Sequence, residues 1–567
     1  ADLTASTNVV QTTNTDLTST LLAVGGKSPI VGATAYRDTL INWAKGLDAL
    51  SDFGVADTYG DVRPQMGDPL HSEPALIQYG LSGTEPDLVI YTATNDGYLH
   101  AYSSVTGLEN FAFIPKELLP NLSRLMENPD GAKIYGLDGS VAAWINDAND
   151  DNAITTGASG DHAYIDVSMR RGGKNIYALD VTSKSSPRLM WVIKGGIGDY
   201  AELGDTWSTI NVEKIKDGTT EKTVLIFGGG YDTSQDTALV KTADTKGRAV
   251  FIADATTGER LWVGGSSTVT PAISPNTAVA NMDYSIPARI KPLDVSGDGF
   301  IDRLYAADMG GQIFRFDINN TNDAALSTSI TGARIASLAG ATDVDARRFY
   351  YPPDVATVSD ASGKYDALVI SSGYRAHPLN TTIHDRIYMI KDQQTAFTAT
   401  YTTDVVESDL KNVTLNIAGG EGGTDADRDA ELALIQAAKG WYINLSDEFN
   451  SDAWIGEKGL SEALLLEGVA VVTTYTPNVQ PAENTCGPSL GLGKVFYLDI
   501  LDATPAFPVN VDARLERHTQ LIHSGIPPTP NIIVPDGGDP CIAIGATCTP
   551  PPLGLGTRKT YWYEEEK

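Results

Sequence analysis

Short runs of alternating apolar and polar residues, rich in β-branched and aromatic side chains, recur along this chain. Each is followed by a Gly/Asn/Asp turn and then by an apolar pentamer. Residues 87–94 precede Tyr98-Leu99-His100-Ala101-Tyr102, residues 162–169 precede Ile176-Tyr177-Ala178-Leu179-Asp180, and residues 223–230 precede Val250-Phe251-Ile252-Ala253-Asp254. Farther on, 303–310 precede Ile313-Phe314-Arg315-Phe316-Asp317, 367–374 precede Ile387-Tyr388-Met389-Ile390-Lys391, and 468–475 precede Val495-Phe496-Tyr497-Leu498-Asp499. A period of two with this composition predicts strands joined as hairpins. Trp441-Tyr442-Ile443-Asn444-Leu445 reads as a seventh pentamer lacking a partner strand.

Two pentamers run on through a turn to a tryptophan, Asp180 to Trp191 and Asp254 to Trp262. In a quinoprotein-type propeller blade the last strand carries such an aromatic, packed between blades. Pentamer starts lie 54 to 78 residues apart, wider than the roughly 40–50 of a minimal blade, so long loops are inserted. The pattern predicts an all-β chain folded as a modified quinoprotein-like β-propeller of six to eight blades, about seven, with short helices. Ahead of the first hairpin, residues 35–50 place apolar side chains at 40, 41, 43, 44, 47 and 50. That is helical spacing, with Trp43 toward a core. Residues 1–66 are read as an N-terminal lead-in containing this helix, and 67–567 as the propeller. A Pro/Gly-rich tail from about 505 is expected to wrap the body without regular structure.

Charge narrows the list of partners. Lys+Arg 41 against Asp+Glu 72 gives a formal charge of −31, hostile to nucleic acid and anionic lipid. No apolar run reaches the roughly 18 residues of a membrane-spanning helix. The chain starts at Ala1 with neither an initiator Met nor a leader-like segment, as expected of a fragment or a matured product. Cys541 and Cys548 stand seven apart in a Gly/Pro-rich stretch, the spacing of a small disulfide loop formed in an oxidising compartment. Cys486 is left over, free or paired outside this chain.

The chemistry is concentrated in Asp294-Val295-Ser296-Gly297-Asp298-Gly299-Phe300-Ile301-Asp302. Oxygen side chains fall at positions 1, 3, 5 and 9 (Asp294, Ser296, Asp298, Asp302), glycines at 4 and 6, and the Phe300 carbonyl can serve at 7. On a curled loop these oxygens can converge, and hard oxygen donors without sulfur or imidazole suit calcium. Tyr305 stands where an EF-hand has its bidentate Glu, and the flanks read as strands, so this is not a helix–loop–helix site. The bland alternative is an Asp/Gly-rich hairpin turn without a metal.

Other candidates are weaker. Asp425-Ala426-Asp427-Arg428-Asp429 repeats the 1-3-5 spacing without the glycine and runs into a helix-forming stretch, where the helix dipole accounts for the acids. Asn146–Asn152 reads as a solvated polar insertion. Gly487-Pro488-Ser489-Leu490-Gly491 matches the esterase elbow by letter but lies in a loop before a strand. His71 and Glu73 are two apart, as an acid–base pair could be, but better suit a structural stitch from the first blade to the last.

These residues resemble a known family, the C-terminal domain of the PilC/PilY proteins of bacterial type IV pili. The resemblance rests on Gly-Asp-Pro-Leu-His-Ser-Glu-Pro at 67–74, Tyr-Thr-Ala-Thr-Asn-Asp-Gly-Tyr-Leu-His-Ala at 91–101, the 294–302 loop and Gly-Glu-Lys at 456–458. It implies a modified propeller and an exported, pilus-tip or outer-membrane-associated protein acting with minor pilins. Such a protein promotes pilus extension, opposes retraction when calcium is bound, and attaches to a host or abiotic surface receptor without catalysing a reaction. The resemblance places calcium ligands on Asp294, Ser296, Asp298, Phe300 (through its carbonyl) and Asp302. Ser296 stands where the family more often has Asp or Asn, which should weaken the site or bring in a water. Two other classes remain open. One is a quinone-dependent dehydrogenase, also a calcium-using propeller, which would need a vicinal cysteine pair this chain lacks. The other is a carbohydrate-binding lectin propeller.

Overall fold

The computed structural model describes residues 1–27, 35–47, 62, 66–131, 133–155, 160–266, 274–320, 324–397, 400–401, 404–421, 423–446, 453–477, 490–506, 517–534 and 540–550. Strands dominate, the helices are few and short, and the fold is a β-propeller of seven sheets. Six sheets have four or five strands and the seventh has three. Each predicted hairpin is present. In the first sheet, Glu85–Ala93 pairs antiparallel with Leu99–Ser103. The other pentamers fall in Ile176–Asp180, Ala249–Asp254, Gln312–Ile318, Arg386–Asp392 and Leu492–Asp499.

The chain forms two compact units. The first comprises Ala1–Thr233, Asp244–Asp302 and Ile318–Ile330. Here Ile77, Val89 and Tyr91 of the first sheet pack against Ile165, Val167 and Tyr177 of the second, each large apolar side chain contributing roughly 1.5–3 kcal/mol by leaving water. The expected inter-blade tryptophan is Trp191, whose Nε1–H donates to the Ala255 carbonyl at 3.0 Å. Gly258 sits under its ring at φ +71°, where a Cβ would lie 2.7 Å from the indole, so both the turn and the packing require glycine. The N-terminal helix is Tyr36–Ala44, shorter than the predicted 35–50. Gly46 at φ +85° stops it while the Leu47 N–H returns to the Asn42 carbonyl. Residues 48–50 lie outside the described set. Trp43, Leu40 and Leu17 share a core with Tyr98 and Leu122, so the described part of the lead-in packs within this unit.

The second unit comprises Ser234–Ala243, Arg303–Asp317 and Thr331–Lys567. Its main apolar core joins the fifth sheet (Met389, Trp441) to the sixth (Val472, Phe496). Trp441 donates to the Ile500 carbonyl at 3.0 Å. Two expectations are corrected here. The seventh pentamer is the strand Gly440–Asn444, which pairs with Arg386–Asp392 and so completes the fifth sheet instead of opening another blade. The tail is not irregular throughout. His518–Ser524 is the outer strand of the sixth sheet, and Asn531–Ile533, Cys541–Ile544 and Thr547–Thr549 form the seventh. Its Ile542 and Ile544 pack on Val469, Val471 and Val495, and the Cys541–Cys548 disulfide closes the hairpin. Cys486 lies outside the described residues.

Candidate functional site: the 294–302 loop

The loop leaves the strand Lys291–Leu293 and continues into Arg303–Ala307. Backbone bonds fix its end: Asp302 N–H to the Leu293 carbonyl at 2.9 Å, Ile301 N–H to the Lys214 carbonyl at 3.0 Å, and Ile318 N–H to the Asp302 carbonyl at 2.7 Å. Ile301 is buried, whereas Asp294 through Gly299 are exposed. A half-buried strand and a fully buried one thus hold an exposed, acidic turn.

The carboxylates organise the turn through its amides. Asp294 Oδ1 accepts from Gly297 N at 2.6 Å and Asp298 N at 3.2 Å, and its Oδ2 accepts from Gly299 N at 2.8 Å. Ser296 Oγ donates to Asp294 Oδ1 at 3.3 Å. Asp298 Oδ1 accepts from Phe300 N at 3.1 Å. Asp302 Oδ2 accepts from Val295 N at 3.0 Å and Ser296 N at 2.8 Å. Gly297 and Gly299 adopt φ +76° and +85° with nothing within 4 Å of a built Cβ. Backbone conformation, not space, demands glycine at both positions.

Two residues that sequence spacing did not reveal complete the surroundings. Lys216, on the strand Asn211–Asp217, sets its Nζ 3.3 Å from Asp298 Oδ2 and 4.4 Å from the Phe300 ring centre. Asn320 Nδ2 donates to Asp302 Oδ1 at 2.9 Å. Partial burial pushes the Asp298 carboxyl up, but the Phe300 amide and the Lys216 ammonium outweigh it and hold it below the usual range.

For a cation, the donor set fits in kind: hard oxygens, a preformed bend, and the buried Asn320 Oδ1, which has no hydrogen-bond partner. It does not yet form a cage. Among the described residues no three His, Cys, Asp or Glu side chains come together as a metal site. Asp298 and Asp302 would have to turn from their present partners toward Asp294.

The weaker candidates resolve structurally. Residues 425–429 start the helix Asp425–Ala437, with Thr424 and Asp427 forming a capping box. In the polar insertion, Asp147 accepts from the amides of Asp151 and Asn152, as a solvated turn does. His71 bonds to Asp138 at 2.8 Å, not to Glu73. Asp138 is buried and also accepts from Asn95. His71 therefore ties the entry of the first sheet to the segment entering the second. Residues 487–489 of the elbow-like motif lie outside the described set. Cys541 is bonded to Cys548, seven positions away, so these two are no vicinal pair. Among the described residues no helix is long and apolar enough to cross a membrane.

Comparison with known proteins agrees with this architecture. Residues 80–417, more than half of the chain, match the family model for the PilY1 beta-propeller domain. The chain is similar to the type IV pilus biogenesis factor PilY1 of Pseudomonas aeruginosa strain UCBPP-PA14, with 26% identity over 497 residues, 76% of this chain and 39% of that protein. It is also similar to a PilY1 homolog of Xylella fastidiosa strain Temecula1, with 29% identity over 238 residues, 41% of this chain and 14% of that protein. The chain thus spans about two fifths or less of these curated relatives. Among solved structures, the Pseudomonas aeruginosa PilY1 C-terminal domain superposes with a TM-score of 0.56 at 21% identity, covering 82% of this chain and 93% of that one. That likeness bears on the fold. Together with the sheet order described above, the family match over 80–417 establishes that the chain belongs to the PilY1 β-propeller family.

Proposed function

We propose that this chain is the propeller portion of a calcium-binding type IV pilus biogenesis factor. In this reading the protein is exported and acts at the pilus tip with minor pilins. It attaches to a host or abiotic surface and performs no catalysis. The observation that carries the pilus assignment is the family match over residues 80–417. The calcium assignment is carried by the loop, whose three aspartates already accept six backbone amides between them.

The residues that would hold the ion are Asp294, Ser296, Asp298, Asp302 and the Phe300 carbonyl. Calcium would supply the positive charge that lets three carboxylates share one centre. Affinity should fall between micromolar and millimolar, on the order of sensor and extracellular sites, with the neutral Ser296 favouring the weaker end. The ion can bias pilus extension against retraction only by binding one loop conformation more tightly than another. Chelation should therefore loosen the turn locally and leave the sheets folded.

The test is cellular. Bacteria carrying Asp302→Ala in the full-length protein should export it normally yet lose surface pili or twitching in calcium-replete medium. Normal piliation, adhesion and twitching in both replete and chelated medium would refute the calcium switch. Normal pili after deletion of the whole protein would refute the pilus role.

A further inference from the structure

Lys216 stands at the carboxylate the ion would need. Its strand is stapled to the loop by the backbone bond from Ile301 N to the Lys214 carbonyl, so the ammonium is delivered by a rigid neighbour, not by a passing loop. It lies 3.3 Å from Asp298 Oδ2, with side-chain exposures of 32% for Lys216 and 41% for Asp298. A pair this open contributes little to stability and is cheap to break. The Phe300 ring, 4.4 Å from the same Nζ, offers a second resting place over an aromatic face. Its own hairpin carries charges as well. Glu221 faces it across the ladder, and Lys222 pairs with Asp217 at 3.5 Å.

We propose that Lys216 is a tethered counter-cation that competes with a divalent ion for Asp298 and so raises the calcium concentration at which the loop fills. The inference rests on the calcium reading of the loop. An ammonium satisfies one carboxylate and needs no cage, so it can hold Asp298 while Asp294 and Asp302 stay on their backbone amides. A calcium ion must draw all three inward. It then either evicts the ammonium toward Phe300 or binds beside a positive charge a few ångströms away. At surface dielectric that repulsion weakens binding on the order of tenfold, less as salt screens it.

Calorimetric calcium titration of this chain tests the proposal with three proteins: wild type, Lys216→Met, which keeps the stem and drops the charge, and Lys216→Arg, which keeps the charge. Circular dichroism checks that each is folded. The expected result is about tenfold tighter binding by Lys216→Met at low salt, a gap that shrinks at 0.5 M salt, and near-wild-type affinity for Lys216→Arg. Equal affinity of wild type and Lys216→Met overturns the competition while leaving the calcium site standing. Weaker binding by Lys216→Met also overturns it, because the lysine would then be supporting the loop. Absence of calcium binding in all three proteins overturns the reading beneath it.

Discussion

Residues 294–298 and 425–429 carry oxygen side chains at the same 1-3-5 spacing, and the chain folds them in opposite ways. In the first, Gly297 and Gly299 turn the backbone to positive φ, and Asp294 gathers the amides of three following residues. In the second, Ala426 and Arg428 fill the intervening positions, and the aspartates begin a thirteen-residue helix. On a helix, residues two apart point to nearly opposite sides, so Asp425, Asp427 and Asp429 cannot share a centre. Asp427 instead caps, accepting from Thr424 N at 2.7 Å, and Arg428 pairs with Asp425 at 3.6 Å. Acidic spacing alone does not make a cation site. The glycines between the acids decide whether alternate side chains can converge.

The largest break in this comparison should come from Asp294→Ala. It leaves three amides without their acceptor and removes one carboxylate from the proposed ion. Calorimetry should register about a hundredfold loss of calcium affinity, near 2.7 kcal/mol, whereas Asp425→Ala should leave the isotherm unchanged. Next is Gly299→Ala. Since a Cβ there meets nothing within 4 Å, only the left-handed backbone is penalised, by about 1 kcal/mol. Calcium affinity should fall about fivefold, and an alanine tolerated without any change would show that the bend is not needed.

Thr424→Ala works on the other side. Loss of the cap should cost about 1 kcal/mol of stability in denaturant melts and leave calcium binding alone. Any change in calcium affinity would mean the two acidic stretches are not independent. The smallest effect is in titration. Asp427 is held below its usual range by the Thr424 hydroxyl and then the Thr424 amide. Asp298 is held low by the Phe300 amide and Lys216 against the opposing pull of burial. Because both folded values are depressed, the stability each lends is present above the unfolded carboxylate value and is lost as pH falls through the folded one. Carboxyl-resolved NMR should find both titrating low, with calcium altering only Asp298.

Much of this was legible in the residues because period-two patterning and turn chemistry are local. Each paired pentamer is a strand, and Trp191 and Trp262 sit on the strands that follow their pentamers, as expected. Trp441 misled because its strand carries the same apolar-aromatic pattern as Arg386–Asp392, the strand it pairs with. The tail misled because proline and glycine are dense around the seventh sheet, whose strands of only three or four residues are held by the disulfide and by apolar packing. The loop's bend was readable from its glycines. Lys216 and Asn320 were not, since a backbone bond from a neighbouring sheet brings Lys216 to the loop and the pairing of Arg303–Ala307 with Gln312–Ile318 brings Asn320. Nor could spacing reveal that the carboxylates rest on amides without converging.

Amide hydrogen exchange with and without calcium is the most direct test of the central claim. On wild-type protein, calcium should slow exchange in peptides covering 294–302 and leave those covering 424–437 unchanged, with little effect on the sheet strands. Exchange at 294–302 that ignores calcium, or slowing spread equally across both acidic stretches, would contradict the account.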